Sequence, residues 1–111
     1  MQMTPLDQTF SALADPIRRA ILVRLHHGEA TVGELARPFA VSLPAISRHL
    51  KVLESAALIS NRRSGKQRIC ALLPTALDDA RDWLTFSERF WTGSLNRLSE
   101  HVRKSTSETK K

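Results

Sequence analysis

Four short signals, Asp15-Pro16, Gly28, Thr31-Val-Gly-Glu34 and Ser42-Leu-Pro44, divide the first half of the chain into segments too short for a long helix or a wide sheet. Asp15 is a good N-cap and Pro16 suits a first helical turn, so one helix must end before this pair and another begin on it. The first carries Leu6, Phe10, Leu13 and Ala14 at helical spacing; the second carries Ile17, Ala20, Ile21 and Leu25 and stops at Gly28, with His26 and His27 in its last turn. Thr31 and Glu34 have capping-box spacing and open a third short helix that runs to about Arg37 or Pro38. Phe39-Ala-Val41 makes a turn, and Ser42 caps a fourth helix whose first turn tolerates Pro44 and which lasts to about Ala57.

From Leu58 the period changes. LISNRRSGKQRICALL holds two short β-capable runs around Gly65, which predicts a hairpin with Leu58 to Arg63 pairing with Arg68 to Leu73. Pro74-Thr75 then opens the longest helix. Its apolar and small positions, Leu77, Ala80, Leu84, Ser87, Trp91, Ser94 and Leu98, step by three and four, and Trp83, Phe86, Phe90 and Leu95 widen the stripe. The expected order is α-α-α-α-β-β-α, mainly helical with one small hairpin, in a single domain over residues 1–103. KSTSETKK has nothing to bury and reads as a loose tail over 104–111.

Composition narrows the class. The 111 residues suffice for one modest core. No run approaches the roughly 18 apolar residues of a membrane span, and MQMTPLDQ lacks a signal-peptide layout, so the expected setting is cytoplasmic, with no membrane partner. The lone Cys70 excludes an internal disulfide and a multi-cysteine metal cage. The net charge of +6 is unevenly placed: residues 1–41 carry four basic and four acidic side chains, and residues 73–111 carry seven and six. Between Ser42 and Leu72, Arg48, Lys51, Arg62, Arg63, Lys66 and Arg68 face only Glu54, so +5 sits on about a quarter of the chain. Such a local excess attracts polyanions through phosphate contact and counterion release.

Helical geometry sorts the fourth helix. At 100° per residue, Ile46, Leu50 and Leu53 fall within about 60° of one another and must face the core. Pro44, Ser47, Arg48, Lys51 and Ser55 then point outward, while His49 lies on the flank near Ala45 and Ala56. A helix, a tight turn and a second helix with a cationic outer face form the helix-turn-helix arrangement, whose second helix enters the major groove of DNA. The basic hairpin fits a wing, with Arg62, Arg63, Lys66 and Arg68 lying along the backbone or minor groove.

The order ALADPIRRAIL, TVGELA, SLPAISRHLKVLESAALI and RRSGKQR resembles the ArsR/SmtB winged-helix repressors, closely from Phe10 to Leu73 and more loosely through the last helix. The resemblance implies a homodimeric bacterial or archaeal transcription factor, usually a repressor that a signal releases from its operator. It places Ser42, Leu43, Pro44, Ala45, Ser47, Arg48, His49 and Lys51 on the recognition helix, and Arg62, Arg63, Lys66 and Arg68 on the wing. It also implies that the family's usual metal sites are missing. Thr31, Gly33 and Ala36 occupy the third helix, where arsenic-type members carry thiolates. On the last helix, Asp78 or Asp79 can stand for one ligand of the second site type, but Ala80, Trp91 and Ser94 fill the other positions.

The remaining candidates have plainer readings. His26 and His27 point about 100° apart and suit a helix C-terminus through the dipole. Cys70 on a short strand reads as a small core residue. Ser47 and His49 face about 160° apart, so no Ser-His relay forms, and Asp78, Asp79 and Asp82 suit the start of a helix. The aromatic stripe is too wide for a monomer of this size to cover. It points to a two-fold interface through the first and last helices, formed by Leu6, Phe10, Trp83, Leu84, Phe86, Phe90, Trp91, Leu95 and Leu98. The expectation is a dimeric, non-enzymatic transcriptional repressor that binds double-stranded DNA at an imperfect palindrome. It needs no cofactor or metal, and a small-molecule inducer is its further partner. The alternatives are a winged-helix protein-interaction module, or a metal- or redox-responsive regulator working through histidine or Cys70.

Overall fold

A computed structural model describes residues 3–109, with side chains described through Val102. Helix α1 spans Pro5–Leu13 and begins in a capping box that pattern reading overlooked: Asp7 N–H donates to Thr4 Oγ1 (3.1 Å), and Thr4 N–H donates to the Asp7 carboxylate (3.0 Å). Helix α2, Pro16–His26, starts on Asp15, whose carboxylate accepts from the N–H groups of Ile17 (2.8 Å) and Arg18 (3.1 Å). Gly28 follows at φ +138°, a backbone state that an L side chain rarely adopts. Helix α3, Val32–Ala36, opens on the expected Thr31/Glu34 capping box, and helix α4, Leu43–Ser55, opens on Ser42, whose Oγ accepts from Ala45 N–H at 3.3 Å.

Helix α4 ends in a Schellman motif. Ala57 N–H donates to Glu54 C=O, and Leu58 N–H to Leu53 C=O, both at 3.0 Å. This places Ala57 in the left-handed region at φ +58°, where glycine is the usual occupant. The chain then turns directly into the first strand of the hairpin at Ile59.

The sheet corrects one expectation. Beside the hairpin of β2 (Ile59–Ser64) and β3 (Gln67–Leu72) lies a two-residue strand β1 (Ala30–Thr31), giving three antiparallel strands in the order β1-β3-β2. Two residues are too few to show an alternating pattern, so β1 was not legible. The hairpin keeps the expected register, with Ile59 opposite Leu72 and Arg63 opposite Arg68. Gly65 at φ +63° leads a two-residue turn, the positive-φ position of a type II′ hairpin.

The core gathers under α1 to α4 and one face of the sheet, with Ile21, Leu35, Ile46, Leu53, Leu58 and Cys70 almost wholly buried. Two faces differ from the simple periodic reading. On α2, Leu22 is buried and Ala20 exposed, because the helix packs on more than one neighbour and uses a wider arc than a single stripe. On α1, Ala12 and Thr9 are the buried positions, while Leu6 and Phe10 are half-buried. Thr9 tolerates burial because its hydroxyl donates to Pro5 C=O at 3.1 Å. Burial also pushes the Cys70 thiol up from its ordinary pKa, which keeps it protonated.

The chain divides into two compact units, one ending at Ala80 and one starting at Arg81. The second is formed by the long helix α5, Asp78–Thr109. Pro74 to Leu77 form turns before it rather than its first residues. Residues 104–109, expected as a tail, continue the helix: no glycine or proline interrupts KSTSET, so the ladder can propagate. Lys110 and Lys111 lie outside the described residues. No described helix is long and apolar enough to cross a membrane.

Candidate nucleic-acid interface

Helix α4 has four sides with four surroundings. Ile46, Leu50 and Leu53 enter the core with at most 2% of their surface exposed. About 180° away, Pro44, Arg48 and Ser55 face solvent. Leu43, Ser47, Lys51 and Glu54 lie between these two sides and form one wall of a cleft of about 680 Å³. The opposite wall is the hairpin, through Asn61, Lys66, Gln67 and Arg68, and the floor is the start of α3 at Thr31 to Gly33. The remaining side, with Ala45, His49 and Ala56, is half-buried.

That fourth side explains His49. The Arg18 guanidinium lies 3.2 Å from His49 Nδ1 through Nη1, while its Nε donates to Ala12 C=O (2.8 Å) and its Nη2 to Ser11 C=O (3.1 Å). Arginine can only donate, so Nδ1 accepts and the imidazole proton sits on Nε2. Arg18 thus caps the last carbonyls of α1 and holds α4 in the same grip. Among the expected recognition residues, His49 is engaged inside the domain; Ser42 is a cap and Ala45 is half-buried. Leu43, Pro44, Ser47, Arg48 and Lys51 are exposed, as is Ser42.

The hairpin also sorts its cations. Opposed residues of an antiparallel pair share a face, so Arg63 and Arg68 stand side by side on the face that buries Ile59 and Cys70 further down. Like charges placed directly opposite repel, and Lys66 at the turn adds a third. A polyanion relieves that repulsion. Arg62 is turned to the other face by strand alternation and is clasped by Glu29, with N···O distances of 2.6 and 3.2 Å. This fork holds the Glu29 carboxyl below its ordinary pKa and the Arg62 guanidinium above its own. Arg62, expected among the wing's phosphate contacts, is therefore already paired with a carboxylate; the partner was invisible because it lies 33 residues away in sequence. Asn61, at the root of the same strand, has its side-chain oxygen buried without a hydrogen-bond partner.

Pattern reading misses Arg18 and Glu29, which act through distant folding partners rather than through a motif, and Asn61, which the hairpin places in the lining of the cleft. The aromatic stripe is present as read. Trp83, Leu84, Phe86, Phe90, Trp91, Leu95 and Leu98 of α5 are each 46–69% exposed, and the rings of Phe90 and Trp91 meet edge to face at 5.7 Å. His26 and His27 are exposed at the end of α2. Among the described residues, no three His, Cys, Asp or Glu side chains form a group that could hold a metal ion.

Comparison with known proteins decides the family. A helix-turn-helix domain model matches residues 13–61, from the end of α1 into β2. Over 96 residues, covering 86% of this chain and 87% of the relative, the sequence is 47% identical to the HTH-type transcriptional regulator Rv2034 of Mycobacterium tuberculosis. It is also 39% identical to the transcriptional repressor SdpR of Bacillus subtilis over 79 residues, 71% of this chain and 88% of that one. The crystal structure of an ArsR family transcriptional regulator superposes with a TM-score of 0.76 at 39% identity, covering 80% of this chain and 98% of the other. The chain belongs to the ArsR/SmtB family. This ArsR/SmtB member is accordingly a DNA-binding transcriptional regulator with a winged helix-turn-helix fold, and the family is not one of enzymes. A homodimeric winged helix-turn-helix DNA-binding domain from Mycobacterium bovis shares its fold, with a TM-score of 0.62 at 26% identity over 78% of this chain and 82% of that one.

Proposed function

We propose that the chain works as a homodimeric cytoplasmic repressor that binds an imperfect palindrome, with two copies of α4 in major grooves one duplex turn, about 34 Å, apart. The observation that carries this reading is the cleft between α4 and the hairpin: Ser47 and Lys51 on one wall face Lys66 and Arg68 on the other. A phosphate strand running through it meets cations from both sides, and Arg48 projects beside it toward base edges. Arg48 and Ser47 read sequence; Lys51, Arg63, Lys66 and Arg68 anchor the backbone. The exposed aromatic face of α5, together with Leu6 and Phe10 of α1, supplies the dimer contact, and a small-molecule inducer acts by changing how the two reading helices are spaced. Metal is not the signal, because the positions that resemble the family's metal sites hold Thr31, Gly33, Ala36, Trp91 and Ser94.

Electrophoretic shifts with duplex from upstream of the gene, run over a series of salt concentrations, test the reading. The expected result is one retarded species whose affinity falls steeply with salt and which a random duplex competes poorly. Absence of salt-sensitive binding to any duplex overturns it.

A further inference from the structure

Beyond its first turn, the exposed side chains on the cleft wall and outer side of α4 are Ser47, Arg48, Lys51, Glu54 and Ser55, all polar or charged, with Val52 38% exposed on the flank, whereas its entrance is apolar. Leu43 is 58% exposed and Val41 37% exposed, while the aliphatics deeper in the same helix, Ile46 and Leu50, are buried. Leu43 lies only about 20° around the helix from Leu50, next to the core stripe, yet it is exposed beside Ser47 and Lys51 on the cleft wall. Its backbone is fixed. Ser42, in extended geometry, caps the turn with a 3.3 Å bond from Ala45 N–H, and Leu43 and Pro44 form the first helical residues. The residue therefore stands at the end of the helix that reaches deepest into a major groove.

The floor of that groove offers one apolar group, the C5 methyl of thymine. We infer that Leu43 is a specificity-determining residue that recognises a thymine methyl group in each half-site. The inference rests on the proposed entry of α4 into the major groove. It assigns Leu43 a base-reading role by shape, beside the hydrogen bonding of Ser47 and Arg48.

Deoxyuridine substitution isolates the methyl, since it leaves every hydrogen-bonding group of the base in place. Each thymine of the operator is replaced in turn, symmetrically in both half-sites, and titrated with the wild type, Leu43→Ala and Leu43→Met. One position is expected to weaken wild-type binding by about fourfold per half-site, the value of one buried methyl group. Leu43→Ala weakens binding to the thymine operator by at least as much and no longer distinguishes thymine from uracil there, while Leu43→Met keeps part of the distinction. Thermal melting verifies that both variants fold, as an exposed position should allow. Tight operator binding with no methyl-sensitive position, or with equal sensitivity in Leu43→Ala and wild type, overturns the inference and leaves the operator reading intact. Failure of the wild type to bind any duplex sinks the operator reading itself.

Discussion

Helices α4 and α5 carry apolar stripes of comparable clarity, and the two stripes have opposite fates. Ile46, Leu50 and Leu53 of α4 are at most 2% exposed, whereas Trp83, Phe86, Phe90 and Trp91 of α5 are 46–69% exposed. The α4 stripe covers about 60° and fits against neighbouring helices and the sheet; the α5 stripe covers about half the circumference of a 32-residue helix. A narrow stripe is satisfied by one chain, while a wide aromatic one calls for a second surface. Periodicity tells which side of a helix is apolar, and stripe width tells how many partners it needs.

Substitutions can break this contrast at either end. Leu50→Ala should have the largest effect, a loss of about 2–5 kcal/mol in urea unfolding that does not depend on protein concentration, because it opens a cavity within one chain. Trp91→Ala should cost about 2 kcal/mol or more, read as a rise in the dimer dissociation constant by analytical ultracentrifugation, with operator affinity falling in parallel. If Trp91→Ala unfolded the monomer while leaving association unchanged, the contrast between the two helices would be wrong. On the outer side of α4, Arg48→Ala should remove about 1–3 kcal/mol of operator preference, whereas Lys66→Ala should weaken all duplexes alike and reduce the salt slope by about one. Identical behaviour of the two would erase the division between reading and anchoring.

Smaller effects test the borders that hold α4 in place. Ala57→Gly should stabilise the fold by up to about 1 kcal/mol, since glycine tolerates the φ of +58° that ends the helix; a shift of the thermal midpoint to lower temperature would refute that account. Asp15 caps α2 next to Arg18, and the Arg18 N–H, then the Ile17 N–H, hold its carboxyl below its ordinary pKa. A depressed folded value means that this stabilisation is fully present above the ordinary carboxylate range and is lost as pH falls through the folded value. Asp15→Asn should therefore flatten the acid limb of the stability profile and leave the neutral-to-basic limb parallel to that of the wild type; an unchanged acid limb would rule the cap out as a contributor.

Much of the fold was legible because its signals are local. Asp15, Thr31 with Glu34, and Ser42 each cap a helix through bonds spanning two or three residues, and each cap forms as its spacing predicts. The hairpin register was legible because Gly65 marks the turn and register follows from it. What escaped was set by distance. Arg18 meets His49 across 31 residues, and Glu29 meets Arg62 across 33. The first contact moves His49 from the candidate DNA surface to the interior grip on α4, and the second removes Arg62 from the free cations of the wing.

By itself, the sequence determined the order of the helices and the hairpin, the buried side of α4, the concentration of positive charge between Ser42 and Leu72, and the likeness to ArsR/SmtB repressors. These properties depend on neighbours within a few residues or on sums along the chain. Only the tertiary structure decided which cations share a wall of the cleft, which are already occupied, and that Leu43 is exposed although it lies next to the core stripe. Each of these depends on where the domain ends and which distant side chain arrives there, and helical and strand periods carry no information about either.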